Sequence, residues 1–170
     1  MLSIDRLDGE LIALLEQDAR QTIGELAEKL GVSRNTVQSR LRRLSDTGML
    51  RGFSPRLDLV EVGINVEAFA ALALDQGKLD DVIDLLAEIP EVIEVHATSG
   101  REGLLVRIGA VSHADLQELI QHIVALPGVG HSNTTLALTT PLAYRVGPLI
   151  TKATSGAGWG RSTALPEQYR

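Results

Sequence analysis

The sequence lacks cysteine and has few aromatic residues. Without cysteine, the 170-residue chain has no disulfide, no thiolate metal ligand and no cysteine nucleophile. Aromatic residues make up 3% of the chain, too few for the stacking surfaces that hold single-stranded nucleic acids. No apolar run approaches membrane-spanning length, and the N-terminus is too poor in apolar residues for a signal peptide. We therefore expect a cytoplasmic protein without a membrane segment.

What the chain does contain is a pair of amphipathic helical patterns joined at a glycine. Apolar residues recur at helical spacing over residues 23–30 and again over residues 37–44. Between them, Gly31 predicts the left-handed C-cap of the first helix, and Ser33 predicts the N-cap of the second. An earlier helix, capped by Asp5, would complete a three-helix core. Helix, short glycine turn and helix are typical of a helix-turn-helix.

Positive charge is concentrated next to this turn. Six arginines and a single acid, Asp46, lie between Arg34 and Arg56, which gives +5 in a chain whose net charge is −6. The remaining residues therefore carry −11. A cationic island in an acidic protein indicates a localised contact with a polyanion, and argues against general adhesion to nucleic acid or membrane. The alternative is an ordinary helical hairpin whose arginines are solvated.

The second helix of the pair is the predicted reader of double-stranded DNA, lying in the major groove with its N-terminal half over the bases. The residues expected to read bases are Arg34, Asn35, Thr36, Gln38 and Ser39, with Arg40 deeper in the groove or at its edge. The residues expected to hold phosphates are Arg42, Arg43 and Arg51. Residues 48–57 predict a wing-like hairpin or a linking strand, with a plain linker as the alternative.

The body of the chain contains an internal repeat with an offset of 37 residues. Residues 79–92 and 116–129 each predict an amphipathic helix that ends at a proline and is followed by a strand. A further apolar strand precedes each copy, at 68–74 and 104–110. Two such units predict a βαββαβ ferredoxin-like domain with one antiparallel sheet and two helices, so the fold class is α+β.

One face of that sheet would be left uncovered by helices. The residues expected to make this face partly apolar are Val95, Ala97, Leu105, Leu136 and Leu138. An apolar face of this kind predicts pairing with a second copy of the chain, sheet to sheet or edge to edge.

The order of these parts resembles the leucine-responsive and asparagine-synthesis regulator family (Lrp/AsnC) of transcription factors, over roughly residues 4–145. The matching stretches are IDRLD at 4–8, ELAEKLGVS at 25–33, VQSRLRRL at 37–44, GMLRGF at 48–53, VIEVH at 92–96, SG at 99–100 and LPGV at 126–129. The resemblance implies homodimers built through the α/β domains, further assembly into octameric rings, and amino-acid effectors bound between dimers.

One turn departs from the family pattern. Family members commonly carry an acidic Gly-Asp-x-Asp turn between the second and third strands, where this chain has Gly100-Arg101-Glu102-Gly103. The residues expected to bind an effector are Thr98, Ser99, Gly100, Arg101, Glu102 and Gly103, with Thr134 and Thr135 on the fourth strand. Arg101 would favour a carboxylate or a ligand other than an amino acid, or else Glu102 substitutes for the missing acids. A plain hairpin turn without a ligand is the alternative.

Two other classes of protein are alternatives to a specific regulator. Haem-pathway decarboxylases have a similar N-terminal helical part and a similar α/β part, but they need histidines and cations around a bulky tetrapyrrole. In this sequence the histidines are scattered, so we expect neither catalysis nor a metal or cofactor. An architectural DNA-packaging protein, which binds with little sequence preference, remains open at this point.

These patterns divide the chain into four parts. We expect a helix-turn-helix domain over residues 1–52, a linker or strand over 53–65, and a βαββαβ domain for effector binding and oligomerisation over 66–147. Residues 148–170 are expected to form a flexible tail because their composition is typical of disorder. The tail carries Trp159, for which docking on a neighbouring subunit is the alternative.

Overall fold

The computed structural model describes residues 4–160. Within them the chain forms, in order, α1 (Arg6–Gln17), α2 (Ile23–Leu30), α3 (Arg34–Asp46), β1 (Val66–Leu74), α4 (Leu79–Ala87), β2 (Val92–Ala97), β3 (Leu104–Ala110), α5 (His113–Val124), β4 (Val129–Ala137) and α6 (Gly147–Thr154). These elements fold as two compact units, here called the head and the body. The head takes both ends of the chain, up to Pro55 and from Leu142 onward, and the body is Arg56–Pro141.

Side-chain and glycine caps set the boundaries of α2 and α3. Thr22 and Glu25 form a capping box, in which the Glu25 N–H donates to the Thr22 hydroxyl at 3.2 Å and the Glu25 carboxylate accepts from the Thr22 N–H at 2.7 Å. Gly31 ends α2 at φ 65°, a left-handed conformation that strains any residue with a Cβ. Ser33 begins α3 by accepting from the Thr36 N–H at 3.1 Å. The predicted helix-turn-helix and its caps are confirmed.

The core of the head is formed by the apolar faces of its helices. The buried residues of this core are Leu7, Leu11, Leu15, Leu26, Ala27, Leu30, Val37, Leu44 and Trp159. Burying each leucine contributes about 1.5–3 kcal/mol relative to leaving it exposed. The predicted three-helix core is therefore present, with Trp159 as an unexpected member.

The body is a four-stranded antiparallel sheet in the order β2-β3-β1-β4. Alternate residues of the central strands are buried against α4 and α5, as in the pair formed by Ala70 and Val106. Val82 and Leu119, which occupy the same place in the two copies of the repeat, are both buried in this core. The predicted βαββαβ fold and its internal repeat are confirmed.

Most residues predicted for the uncovered face of the sheet lie elsewhere. Val95, Ala97 and Leu136 each pair with a residue of the helix-covered core, and paired residues point to the same side. Leu105 does lie on the uncovered face, whereas Leu138 follows the end of β4. The prediction used residue type without register, and a shift of one residue exchanges the two faces. The apolar side chains on the uncovered face include Phe69, Ala71, Ala73, Leu105 and Ala137.

The stretch between α3 and β1 contains neither the predicted hairpin nor the linking strand. Pro55 has no N–H to donate to a ladder, and Gly52 has φ 139°, so both residues oppose regular pairing here. A turn precedes β1 instead, in which the Ile64 N–H donates to the Leu59 carbonyl at 2.8 Å. The alternative of a plain connection is the one that the structure has.

The C-terminal stretch is not a flexible tail as far as the structure describes it. Gly147–Thr154 form α6, and Trp159 is only 3% exposed in the core of the head. The prediction rested on composition, which does not register a single large anchor such as tryptophan. Trp159 therefore packs within its own chain. The remainder of the predicted tail, residues 161–170, lies outside the described residues.

Candidate functional site

One side of α3 is exposed and polar. The residues on this side are Arg34, Asn35, Gln38, Ser39 and Arg42, and all five are exposed. At about 100° per residue they fall within roughly 140° of arc. The other side carries Val37 and Leu44, which are buried in the head. An exposed helix face with guanidinium, amide and hydroxyl groups matches the hydrogen-bonding groups of a DNA major groove.

The start of this face is shaped by α2. Arg34 lies over Gly24, where a Cβ would be 3.3 Å from Arg34 Nη2, so the glycine leaves room for the guanidinium. Thr36 was also predicted to read bases, but it is half-buried and its hydroxyl lies 2.8 Å from Ser33 Oγ in the N-cap. We therefore assign Thr36 to the start of α3 and not to its polar face.

Two arginines of α3 bind the acids that begin α1. Arg40 Nη1 donates to Asp5 Oδ2 at 2.5 Å and to Asp8 Oδ1 at 3.1 Å, and Arg43 Nη2 donates to Asp8 Oδ2. Asp8 is fully buried, and the Arg40 side chain is 19% exposed. The same carboxylates form the capping box of α1, in which the Asp5 N–H donates to Asp8 Oδ2 at 3.0 Å. We call these four side chains the α1–α3 network, because they tie one helix to the other.

The charges of the α1–α3 network stabilise each other. Partial burial raises the pKa of Asp5, but hydrogen bonds from the Arg40 guanidinium and the Asp8 N–H outweigh burial and hold that pKa below its usual value. For Arg40, burial lowers the pKa, but the carboxylates of Asp5 and Asp8 raise it by more than burial lowers it. The net shift of the Arg40 pKa is therefore upward. The ionised pair is thus the favoured state on both sides.

Arg40 was expected deep in the groove or at its edge. Its guanidinium is held by Asp5, the N-cap of α1, and by Asp8, so it lies against α1 in this structure. The side chain of Arg43 remains 41% exposed despite its pairing, which leaves one side of it open to solvent. Arg51 is exposed on the connection after α3.

The predicted effector turn is a closed hairpin at one end of the sheet. It joins β2 to β3, and the Thr98 N–H donates to the Gly103 carbonyl at 2.9 Å. The Thr98 hydroxyl donates to the Glu102 carbonyl, so this hydroxyl closes the turn. Arg101 and Ser99 are exposed at its tip. A cationic side chain is thereby presented where the family pattern has acids.

The two threonines of β4 do not join this turn within one chain. Thr134 pairs with Ala70 on the helix-covered side, whereas Thr135 pairs with Phe69 on the uncovered side. β4 is also separated from β3 by β1, which is about 10 Å at the usual strand spacing. Thr134 and Thr135 therefore lie on opposite surfaces of the sheet. Within one chain they do not form a single pocket with the turn.

Two open cavities lie away from the predicted sites. One, of about 820 Å³ in the body, lies between the end of α4 and the start of α5, with Ile89, Gly109 and Leu119 among its lining residues. The other, of about 690 Å³ in the head, lies between α1 and α6 beside Glu16 and Lys152. Neither is lined by a residue of the effector turn.

Across residues 4–160, no three histidine, aspartate or glutamate side chains come together as they do around a metal ion. No helix in that part of the chain has both the length and the apolar content needed to span a membrane.

Both units match known protein families. The AsnC-type helix-turn-helix domain matches residues 4–45, and the Lrp/AsnC ligand binding domain matches residues 67–146. The HTH-type transcriptional regulator LrpA of Mycobacterium tuberculosis is 34% identical over 139 residues, which cover 81% of this chain and 92% of LrpA. The chain belongs to the Lrp/AsnC family. The HTH-type transcriptional regulator FL11 of Pyrococcus horikoshii is 28% identical over 81% of this chain and 91% of FL11.

Solved structures of Lrp/AsnC proteins share the fold. AsnC of E. coli superimposes with a TM-score of 0.79 at 25% identity, over 86% of this chain and 100% of AsnC. A transcriptional regulator of Neisseria meningitidis in complex with L-Met has the same fold, with a TM-score of 0.78 at 20% identity over 86% of this chain and 99% of that one. The protein is therefore a DNA-binding transcriptional regulator with a ligand-binding domain. The relatives of this chain are helix-turn-helix transcriptional regulators, which contradicts the alternative of a tetrapyrrole decarboxylase.

Sequence reasoning missed the partners that hold α3 and the segment that completes the head. Asp8 was visible as the third residue after the cap Asp5, which predicts a capping box, but nothing local connects it with Arg40. Glu16 and Trp159 were missed for the same reason, because their contacts span more than a hundred residues of sequence.

Proposed function

We propose that this Lrp/AsnC regulator recognises specific sites on double-stranded DNA by placing α3 in the major groove. The observation that carries the proposal is the exposed polar face of α3. The residues assigned to base edges are Arg34, Asn35, Gln38 and Ser39, in the first half of the helix. The residues assigned to phosphates are Arg42, Arg43 and Arg51.

Specific recognition is favoured over the architectural alternative by the chemistry of that face. Asn35 and Gln38 carry amides, which pair with adenine edges and have no charge to contribute to general phosphate attraction. The body has four basic and thirteen acidic residues, a net charge of −9, so it is repelled by DNA. Affinity is thereby confined to the head.

The proposal is tested by fluorescence anisotropy with two duplexes, the DNA upstream of the protein's own gene and a shuffled sequence, over a series of salt concentrations. Gln38→Ala is expected to reduce the preference for the native duplex by about 1–3 kcal/mol. Arg42→Ala is expected to lower the affinity for both duplexes by the same factor and to lower the slope of the salt dependence by about one ion. The matched controls are Gln117→Ala on α5 and Arg20→Ala, both at exposed positions.

Two results would contradict this assignment. If Gln38→Ala and Arg42→Ala lowered the affinity for both duplexes equally, α3 would not read bases with its first half. If the unaltered protein bound both duplexes equally with a steep salt dependence, the architectural alternative would hold.

We infer further that the body binds a small effector with a carboxylate, such as an amino acid, at the turn that presents Arg101. The inference is supported by the ligand-binding domain match and by the exposed guanidinium, and the neighbouring fold from Neisseria meningitidis holds L-Met. Arg101→Gln is expected to weaken amino-acid binding about tenfold, since a charge-assisted hydrogen bond contributes about 1.5–3 kcal/mol. Decarboxylated amines are expected to bind the protein and the variant alike.

Calorimetric titration with a panel of amino acids and their amines measures this difference, with Arg20→Gln as the control. If Arg101→Gln and the unaltered protein bound amino acids with equal affinity, the Arg101 guanidinium would not be part of the effector site.

The uncovered sheet face supports a homodimer, with effector-dependent assembly of dimers toward octamers as the regulatory step. Phe69 is 38% exposed on that face, next to an ion pair in which Arg107 Nη2 donates to Glu67 Oε2 at 2.7 Å. An apolar patch that carries its own ion pair is suited to bind a second copy of the same surface. Light scattering with and without amino acids measures the assembly, and an unchanged mass across the panel would count against an effector-driven step.

A further inference from the structure

The segment 147–160 lies outside both family matches, which cover residues 4–45 and 67–146. It consists of α6 and the loop that follows, and we call it the C-terminal brace. The brace runs antiparallel to α1, since Gly147 contacts the end of α1 and the Gly158 carbonyl accepts from the N–H of Arg6 at 3.1 Å. Its contacts are made at three places along α1.

The first contact is a carboxylate at the start of α6. Glu16 accepts through Oε1 from the Val146 N–H and through Oε2 from the Gly147 N–H, both at 2.7 Å. These donors have no partner inside the helix, and a negative charge is favoured beside them by the helix dipole. Gly147 is buried, and a Cβ there would overlap Glu16 Oε2. The first contact therefore needs both the acid and the glycine.

The second contact is a close approach of two small residues. Thr154 is 1% exposed, and a Cβ on Gly9 of α1 would overlap its hydroxyl. That hydroxyl donates to the Ile150 carbonyl at 2.9 Å, so it is satisfied although buried. Gly9 thus allows α1 and α6 to pack at short distance.

The third contact is Trp159. Its side chain is 3% exposed in the core of the head, and the Arg6 guanidinium carbon lies 5.7 Å from the ring centroid, within the range of a cation–π contact. A buried tryptophan contributes more apolar area than any other side chain of this core. Trp159 is therefore the main anchor of the brace.

The brace ends against the α1–α3 network. A Cβ on Gly160 would lie 2.5 Å from Arg40 Nη2 and 3.3 Å from Asp5 Oδ2, so the backbone of the brace lies against this salt bridge and covers part of it. Covering an ion pair removes water that would otherwise weaken it. The brace thereby reaches the side chain that fixes α3.

We propose that the C-terminal brace positions α3 for DNA recognition, and that Glu16 and Trp159 are its positioning residues. They act through Asp5 and Arg40 and touch no DNA. In this arrangement the brace is a constituent of the DNA-reading unit. The proposal rests on the proposed role of α3 in reading bases.

The first arm of the test needs no DNA. Hydrogen exchange of backbone amides is measured on the full-length protein and on Glu16→Ala, with Glu28→Ala, an exposed acid of α2, as the charge-matched control. Glu16→Ala is expected to raise exchange about tenfold in α6 and also in α3. Quenching of Trp159, the only tryptophan, by acrylamide is expected to rise with it, and Glu28→Ala to change neither quantity.

The second arm measures DNA discrimination at a temperature where circular dichroism shows the helices of each variant intact. Glu16→Ala and Trp159→Ala are expected to lose about tenfold in preference for the native duplex over the shuffled one, with affinity for the shuffled duplex unchanged. Trp159→Phe keeps an aromatic anchor and is expected to restore most of the preference.

The two arms separate failure of the proposal from failure of the proposed function. Faster exchange in α6 with unchanged exchange in α3 would overturn the proposal whatever the DNA result. Unchanged discrimination by Glu16→Ala, when the unaltered protein does discriminate, would also overturn it. If the unaltered protein shows no preference between duplexes, the proposed function fails, and the exchange arm still decides whether the brace holds α3.

Discussion

The α1–α3 network predicts that two aspartates of the head respond very differently to the same substitution. Asp8→Asn removes the charge from a fully buried carboxylate that accepts from Arg40 and Arg43. Asp46→Asn makes the same chemical change at an exposed position near the end of α3. The comparison isolates the effect of burial and pairing from that of the substitution itself.

The magnitude follows from what each partner retains. Breaking a buried ion pair by removing one member costs about 3–5 kcal/mol. Arg40 keeps Asp5 as a partner, and Arg43 is 41% exposed and regains water, so the loss is reduced. The amide of the variant still accepts the Asp5 N–H, so the cap is largely kept. We expect Asp8→Asn to lower the free energy of unfolding of the head by about 2–4 kcal/mol, and Asp46→Asn by less than about 0.5 kcal/mol.

Trp159 supplies the assay, because its fluorescence reports the head alone. The body contains no tryptophan, so urea unfolding followed by this signal measures the head separately. For a unit of 84 residues, the expected loss for Asp8→Asn corresponds to a melting temperature lower by on the order of 10–20 °C. Equal midpoints for Asp8→Asn and Asp46→Asn would refute the argument that the buried pair holds α3 on α1.

Acid sensitivity and self-association provide two further tests. Because the pKa of Asp5 is held below its ordinary value of 3.8, this carboxylate contributes stability that is fully present above pH 3.8 and is lost as the pH falls through the lowered pKa. In an acid titration followed by Trp159 fluorescence, the stability of the head is therefore expected to depend less on pH in Asp5→Asn than in the unaltered protein. Identical titration curves for the two proteins would contradict the pairing of Asp5 with Arg40. Phe69→Glu places a charge on the uncovered sheet face and is expected to lower the mass measured by light scattering to that of a monomer. Val60→Glu, an exposed apolar position off the sheet, is the control, and an equal mass for both variants would exclude that face as the interface.

Local signals in the sequence predicted the elements of this fold well. Gly31 and Ser33 mark the turn of the helix-turn-helix because each satisfies backbone groups within a few residues of itself. The repeat at offset 37 predicted both helices of the body and the strand after each, and apolar runs ahead of the two copies predicted the other two strands, since helical and strand periodicities are also local properties. The faces of those strands were harder, because register depends on the partner strand.

The parts that escaped prediction depend on contacts between distant residues. Arg40 lies on α3 at a position that periodicity alone makes polar and outward-facing, and its direction is set by Asp5 and Asp8, more than thirty residues earlier. Trp159 lies in a stretch rich in glycine and serine, and its burial depends on a pocket formed by the first helices. The composition of a segment describes only its own residues, whereas its docking depends on the residues that it packs against.

The discontinuous construction of the head has a consequence for the order in which the protein matures on the ribosome. The body is one continuous stretch, Arg56–Pro141, whereas α1 to α3 are synthesised first and Trp159 is synthesised long after them. Domains fold as units while the chain is made, so the body is complete before the head. Under the pairing proposed above, chains shortened ahead of Gly147 would still pair through their bodies but would carry unfinished heads. Such shortened chains are expected to inactivate the assemblies that they form with full-length chains, so a truncated allele would act dominantly.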